Sequence, residues 1–187
     1  WPMPRKYPIG TLINYGYEHT VLLPVPLNIS SDSKPSLLGG ALEVKLKAQW
    51  LVCRKECIPE EGEFSLAIPA KSAVALNGPA FQASFAAQPK PLPDIATATI
   101  DGASLRLRVS GLPAGVRDKP LEFFPETPEV IETSAKWSQA WDGQVWTAQV
   151  PLSPYRSVSP AVMPIALTQG NKGWSIDAGV QGLWPST

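Results

Sequence analysis

Apolar and polar residues alternate along much of this chain with a period of two, the spacing of a half-buried β-strand. Residues 104–109 read Ser-Leu-Arg-Leu-Arg-Val, which sets Leu105, Leu107 and Val109 on one face. Phe64, Leu66 and Ile68 alternate with Glu63, Ser65 and Ala67, and residues 42–46 alternate apolar with charged side chains. Residues 20–23, 144–150 and 161–167 read as further strands. Asn77-Gly78, Asp101-Gly102 and Asp142-Gly143 are turn signals between such runs. One stretch fits a helix: over residues 78–87, Ala80, Phe81, Ser84 and Phe85 share a face at helical spacing.

Composition strengthens the β assignment. Proline accounts for 21 of 187 residues, about twice the usual share of roughly 5%. It lacks a backbone donor and fixes φ, so it belongs at strand ends, edges and turns. Its spread along the chain argues against long helices, in keeping with the strand signals of an all-β protein. A core is affordable, since 44% of the residues are hydrophobic. The run Gln88-Pro89-Lys90-Pro91-Leu92-Pro93 has no periodic pattern and reads as an extended linker. The expected division is therefore one unit over residues 1–88, a linker over 89–94, and a second, cysteine-free unit over 95–187. A weak internal repeat is visible. Trp-Pro-Met-Pro at the start and Val-Pro-Leu at 25–27 parallel Phe-Phe-Pro at 123–125 and Val-Pro-Leu at 150–152, and Trp50 parallels Trp174. Chance similarity in a proline-rich chain is the alternative. A true repeat would place leading strands of the first unit upstream of Trp1.

Charge narrows the function. The formal net charge is zero, and no basic stripe of the kind that tracks a phosphate backbone is present. No apolar run approaches the roughly 20 residues of a membrane-spanning helix. The opening on Trp1 leads to the expectation of a processed chain or a segment of a longer one.

The candidate chemistry sits in Trp50-Leu51-Val52-Cys53-Arg54-Lys55-Glu56-Cys57-Ile58-Pro59, which holds both cysteines. In one extended strand, four steps of about 3.3 Å would put the cysteines roughly 13 Å apart, so a disulfide requires a turn within residues 54–56. Arg54 and Lys55 favour a thiolate, and Glu56 opposes it. Three chemistries suit the pair: a static structural disulfide, a redox-active dithiol, or a Cu(I) site. For a Cu(I) site, Met3, Met163 and His19 are the remaining soft or nitrogen ligands. His19 is the single histidine, and no nucleophile-elbow or phosphate-loop motif is present. Tyr7, Tyr15 and Tyr17 form an aromatic cluster that suits either sandwich packing or a lid over the dithiol.

Tyr-Gly-Tyr-Glu-His-Thr-Val-Leu-Leu-Pro-Val-Pro-Leu at 15–27, followed by the Cys53–Cys57 segment, resembles the N-terminal periplasmic domain of the thiol:disulfide interchange protein DsbD family. The Trp-Pro-x-Pro-x-x-Tyr opening is similar to its ScsB-type branch, linked to copper tolerance. The resemblance covers residues 1 to about 70, more loosely the remainder. It implies an immunoglobulin-like β-sandwich, and two tandem sandwiches if the second half follows. It also implies a periplasmic location within a membrane-embedded parent protein, and no cofactor. The implied partners are a thioredoxin-like domain of that parent and periplasmic thiol oxidoreductases. Cys53 and Cys57 match the family's redox pair, with Cys57 expected to carry the mixed disulfide and Cys53 to resolve it. The segment 6–17 takes the place of its cap loop, with Tyr7, Tyr15 and Tyr17 as the cap candidates. One departure is visible: in the better-known DsbD domain the cysteines lie further apart and end in Cys-Tyr-Pro, where this chain has Cys57-Ile58-Pro59.

Overall fold

The alternating segment at 104–109 forms a strand whose inward residues are almost wholly excluded from solvent. The computed structural model describes residues 1–30, 40–69, 76–93 and 96–186. Within it, β1 (Arg5–Ile9) and β2 (Leu12–Gly16) form a hairpin, and β3 (Ala41–Cys53) and β4 (Cys57–Pro69) form a second, longer one. Helix α1 (Gly78–Ala86) and a short β5 (Lys90–Pro91) lead into β6 (Ala96–Asp101) and β7 (Ser104–Val109). Then follow β8 (Glu122–Pro125), β9 (Ser138–Asp142), β10 (Val145–Pro151), β11 (Val162–Gln169) and β12 (Lys172–Gln181). The protein is all-β, with curled sheets of the immunoglobulin-like kind.

The last eight strands make one sheet in the order β8-β11-β12-β6-β7-β10-β9, with β5 also beside β12. All neighbours are antiparallel except β5 and β6, which run parallel to β12. Leu105, Leu107 and Val109 turn inward while Arg106 and Arg108 face solvent. Phe123, Trp146, Val150, Met163, Ile165 and Leu167 complete the same core. The β6–β7 hairpin turns at Gly102-Ala103, directly after Asp101, and Gly102 has φ 57°, a left-handed conformation that glycine adopts without a steric penalty.

β8 and β9 are the two ends of that strand order, and among the described residues no backbone ladder joins them. A side chain does. Gln139 Oε1 accepts from the Leu121 N–H at 2.8 Å and from the Trp146 indole N–H at 2.9 Å. Gln139 Nε2 donates to the Leu121 carbonyl at 2.9 Å. The amide therefore makes, just ahead of β8, the pair of bonds a neighbouring peptide would make, and it closes the curled sheet.

The proline-rich residues 89–93 are extended and docked. Lys90 and Pro91 run beside Trp174 and Ser175 of β12, and the Leu92 N–H donates to the Ser175 carbonyl at 2.8 Å. The start of the chain is also tied down. The Ser84 hydroxyl of α1 donates to the Leu22 carbonyl at 2.7 Å, and the Met3 N–H donates to the Ala87 carbonyl at 3.0 Å.

Two expectations differ from the structure. Residues 20–23 form no strand; beside Pro24 and Pro26, this stretch has its carbonyls taken by side chains, Leu22 by Ser84 and Pro24 by the Trp1 indole. Asn77-Gly78 opens α1 instead of turning a hairpin. The markers of the repeat also fall on unlike elements. Trp50 lies on the first strand of its hairpin and Trp174 on the second strand of its own, and Val-Pro-Leu at 25–27 is not in a strand.

Replacing Gln139 with Leu leaves the Leu121 N–H and carbonyl and the Trp146 N–H without partners. A loss of about 1–3 kcal/mol is expected. Urea unfolding of Gln139→Leu checks this, and an unchanged midpoint would show that the sheet closes without the amide.

Candidate functional site: a disulfide at the tip of a two-faced ribbon

β3 and β4 pair without a break from Ala41 opposite Pro69 to Cys53 opposite Cys57. Cross-strand partners share a face, and successive pairs alternate between faces. One face carries Leu42 with Ile68, Val44 with Leu66, Leu46 with Phe64, Trp50 with Glu60, and Val52 with Ile58. The other carries Lys45 with Ser65, Lys47 with Glu63, Gln49 with Glu61, Leu51 with Pro59, and finally the two cysteines. The apolar face has the pattern of the inside of a sandwich, yet Leu46, Phe64 and Leu66 are 50%, 54% and 62% exposed. The polar face is laced by a Lys47–Glu63 ion pair at 2.6 Å. Both of its partners are exposed, so its stabilisation is small.

The register makes the disulfide. Residues 54–56 turn the chain, with the Arg54 N–H donating to the Glu56 carbonyl at 3.0 Å. This leaves Cys53 directly opposite Cys57, bonded, with Cα atoms 4.1 Å apart. The turn required by the spacing is therefore where the sequence demanded it. Cys53 is exposed and Cys57 half-buried, so an incoming thiol reaches the bond without unfolding the ribbon. Just behind the cysteines, a groove of about 650 Å³ is lined by Gln49, Trp50, Leu51, Pro59, Glu60 and Glu61.

Gly62 shapes that groove. The Trp50 and Phe64 rings, 6.4 Å apart between centroids, converge over it. A Cβ at position 62 would lie 2.9 Å from the Phe64 ring and 3.3 Å from Trp50. The missing side chain lets both rings lie down on the ribbon.

The three tyrosines find partners elsewhere. Tyr15 meets Phe124 of β8 edge-to-face at 5.1 Å, and the Tyr17 hydroxyl donates to the Pro2 carbonyl at 2.8 Å. Tyr7 lies against Gly16 on the neighbouring strand. Lys6, which the sequence pattern did not single out, holds this hairpin to the large sheet. Its Nζ sits 5.9 Å from the Tyr15 ring centroid and 5.2 Å from those of Phe124 and Trp137. Burial lowers the Lys6 pKa, and the nearby Glu122 carboxylate opposes that shift. Burial pushes the Tyr15 pKa up to about 12, and raises that of Tyr17 with help from Glu126.

The soft ligands considered for copper are dispersed in role. Met163 is fully buried in the core of the large sheet, and Met3 packs against Gly173. His19 is exposed, holds a positive φ of 59°, and lines a cleft with Arg5 and Tyr17. Among the described residues no helix is long and apolar enough to cross a membrane.

Residues 1–69 match the family model described as thiol:disulfide interchange protein DsbD, N-terminal. No curated protein and no solved structure matches the chain.

The Tyr15 shift has a testable sign. The folded state favours the protonated phenol, so its stabilisation is complete below the unfolded pKa of 10.0 and is lost as pH rises towards about 12. Unfolding midpoints measured from pH 9 to 11.5 should fall more steeply for the native chain than for Tyr15→Phe. Parallel curves would contradict the burial of this phenol.

Proposed function

We propose that this protein carries out thiol–disulfide exchange through Cys53 and Cys57. One observation carries this: the disulfide ends an exposed ribbon, where a partner's sulfur can approach it. A buried structural bridge would have been shielded. The family match over residues 1–69, which includes both cysteines, supports the same reading.

A partner thiolate attacks one sulfur of the pair; a mixed disulfide forms and the other sulfur leaves as a thiolate. A second thiol of the partner then displaces the remaining sulfur. Two electrons pass to the pair, and the partner ends as a disulfide. Reduced Cys53 and Cys57 repeat the chemistry on an oxidised client. Arg54 and Lys55 in the turn favour the departing thiolate, more so at low ionic strength. Exposure favours attack on Cys53, with Cys57 leaving and later resolving, the reverse of the order expected from the sequence.

The setting completes the proposal. The protein works in the periplasm as a domain of a membrane-embedded parent, within the ScsB-type branch. It takes electrons from that parent's thioredoxin-like domain and delivers them to periplasmic thiol oxidoreductases. Residues 1–88 form the exchange unit and 95–187 a cysteine-free spacer or docking unit, with 89–94 between them. Cys53 is exposed as the chain stands. A cap made by Tyr7, Tyr15 and Tyr17 therefore needs a movement that brings residues 6–17 over the ribbon tip.

Single-cysteine variants test the chemistry. Cys57→Ser should trap a thioredoxin-like protein carrying one reactive cysteine as a mixed disulfide, several-fold more than Cys53→Ser does. Equal trapping by both would sink the order of attack. Trapping by neither would sink the exchange itself.

A further inference from the structure

Among the described residues, two basic side chains are seated on aromatic rings. Lys6 lies among Tyr15, Phe124 and Trp137 with Glu122 nearby, and the Arg156 guanidinium stacks 4.8 Å from the Trp184 ring centroid. In the Lys6 case the elements are an aromatic surface, a carboxylate and a cation held between them.

The groove behind the disulfide has the first two elements and lacks the third. Trp50 and Glu60 are cross-strand partners on one face of the ribbon, three residues from Cys53 and Cys57 respectively. Trp50 is 42% exposed, and its ring is held down over Gly62 beside Phe64. Its orientation is thus set before anything binds. The groove's second glutamate, Glu61, is engaged by the Gln49 amide at 3.4 Å, and Glu63 by Lys47. Among the described residues the Glu60 carboxylate has no hydrogen bond or ion pair, and no cation lies over Trp50. Leu51 and Pro59, which also line the groove, lie on the ribbon's other face with the cysteines.

We infer that this groove receives a lysine or arginine side chain of the exchange partner, carried a few residues from that partner's reactive cysteine. The inference rests on the exchange function proposed above and adds the chemistry of the partner. Three residues of extended chain span about 10 Å. Trp50 and Cys53 face opposite sides of β3, and so do side chains three apart on an extended partner segment paired along the outer edge of β3, which has no strand beside it among the described residues; such a segment presents its cysteine at Cys53 and its basic residue at Trp50 and Glu60. An aromatic face attracts the cation through its quadrupole, and the carboxylate attracts it through charge. A partner with a glutamate at that position meets Glu60 and is disfavoured, so the groove selects among thiol proteins as well as holding them.

Binding can be read apart from exchange. Two short peptides are compared, identical except for arginine or glutamate three residues from a serine that stands in for the cysteine. Titration of the intact protein is followed by the Trp50 indole N–H signal in NMR spectra. The arginine peptide should bind about fivefold more tightly than the glutamate peptide. That preference should shrink in Glu60→Gln and in high salt. Equal affinities, no binding of either peptide, or a preference that persists in full in Glu60→Gln would each overturn the inference. Reduction of the native pair by dithiothreitol is measured separately. Its failure would count against the exchange reading, while the peptide result would still decide what the groove binds.

Discussion

The register of one hairpin governs the functional end of this molecule. Because β3 and β4 pair without a bulge from Ala41–Pro69 to Cys53–Cys57, every cross-strand pair has a fixed face. A slip of one residue would carry Cys53 away from Cys57 and turn Leu42, Val44 and Leu46 to the polar side. The apolar face, the engaged charges of the polar face and the closed disulfide therefore stand or fall together. The same register sets Trp50 opposite Glu60, and Gly62 lets the Trp50 and Phe64 rings converge over it.

The rest of the fold holds together through side chains that substitute for missing backbone partners. Gln139 joins the ends of the large sheet with an amide that takes the place of a strand. Lys6 ties the first hairpin to β8 by filling an aromatic cage, at the cost of a partly desolvated ammonium. Ser84 and the Trp1 indole satisfy carbonyls around Leu22 and Pro24, where proline weakens any strand ladder. These contacts connect the beginning of the chain to α1 and to the later sheet. The ribbon projects its disulfide with far fewer constraints.

What was legible in the sequence follows from how local each signal is. The period-two alternation of Leu105, Leu107 and Val109 located β7, because inward burial and outward charge leave a pattern within six residues. Asp-Gly pairs at 101–102 and 142–143 marked the hairpin turns. The four-residue separation of the cysteines was enough to require a turn at 54–56. Signals that depend on distant partners were not readable. Gln139 looks like any strand glutamine until Leu121 is folded beside it, and Lys6 like any surface lysine until Phe124 and Trp137 surround it. Residues 20–23 carry strand-forming side chains, but their main chain bonds to α1, far along the sequence. Lys90 and Pro91 carry no apolar alternation, so their pairing with β12 left no periodic trace.

In the proposed function, Cys53 and Cys57 cycle between dithiol and disulfide. Equilibration of the protein across a series of glutathione buffers, with thiol trapping and mass readout of the two cysteines, tests it most directly. A reversible two-electron transition between about −180 and −270 mV is the predicted result. A pair that stays oxidised below about −300 mV would make the bond structural and contradict the account.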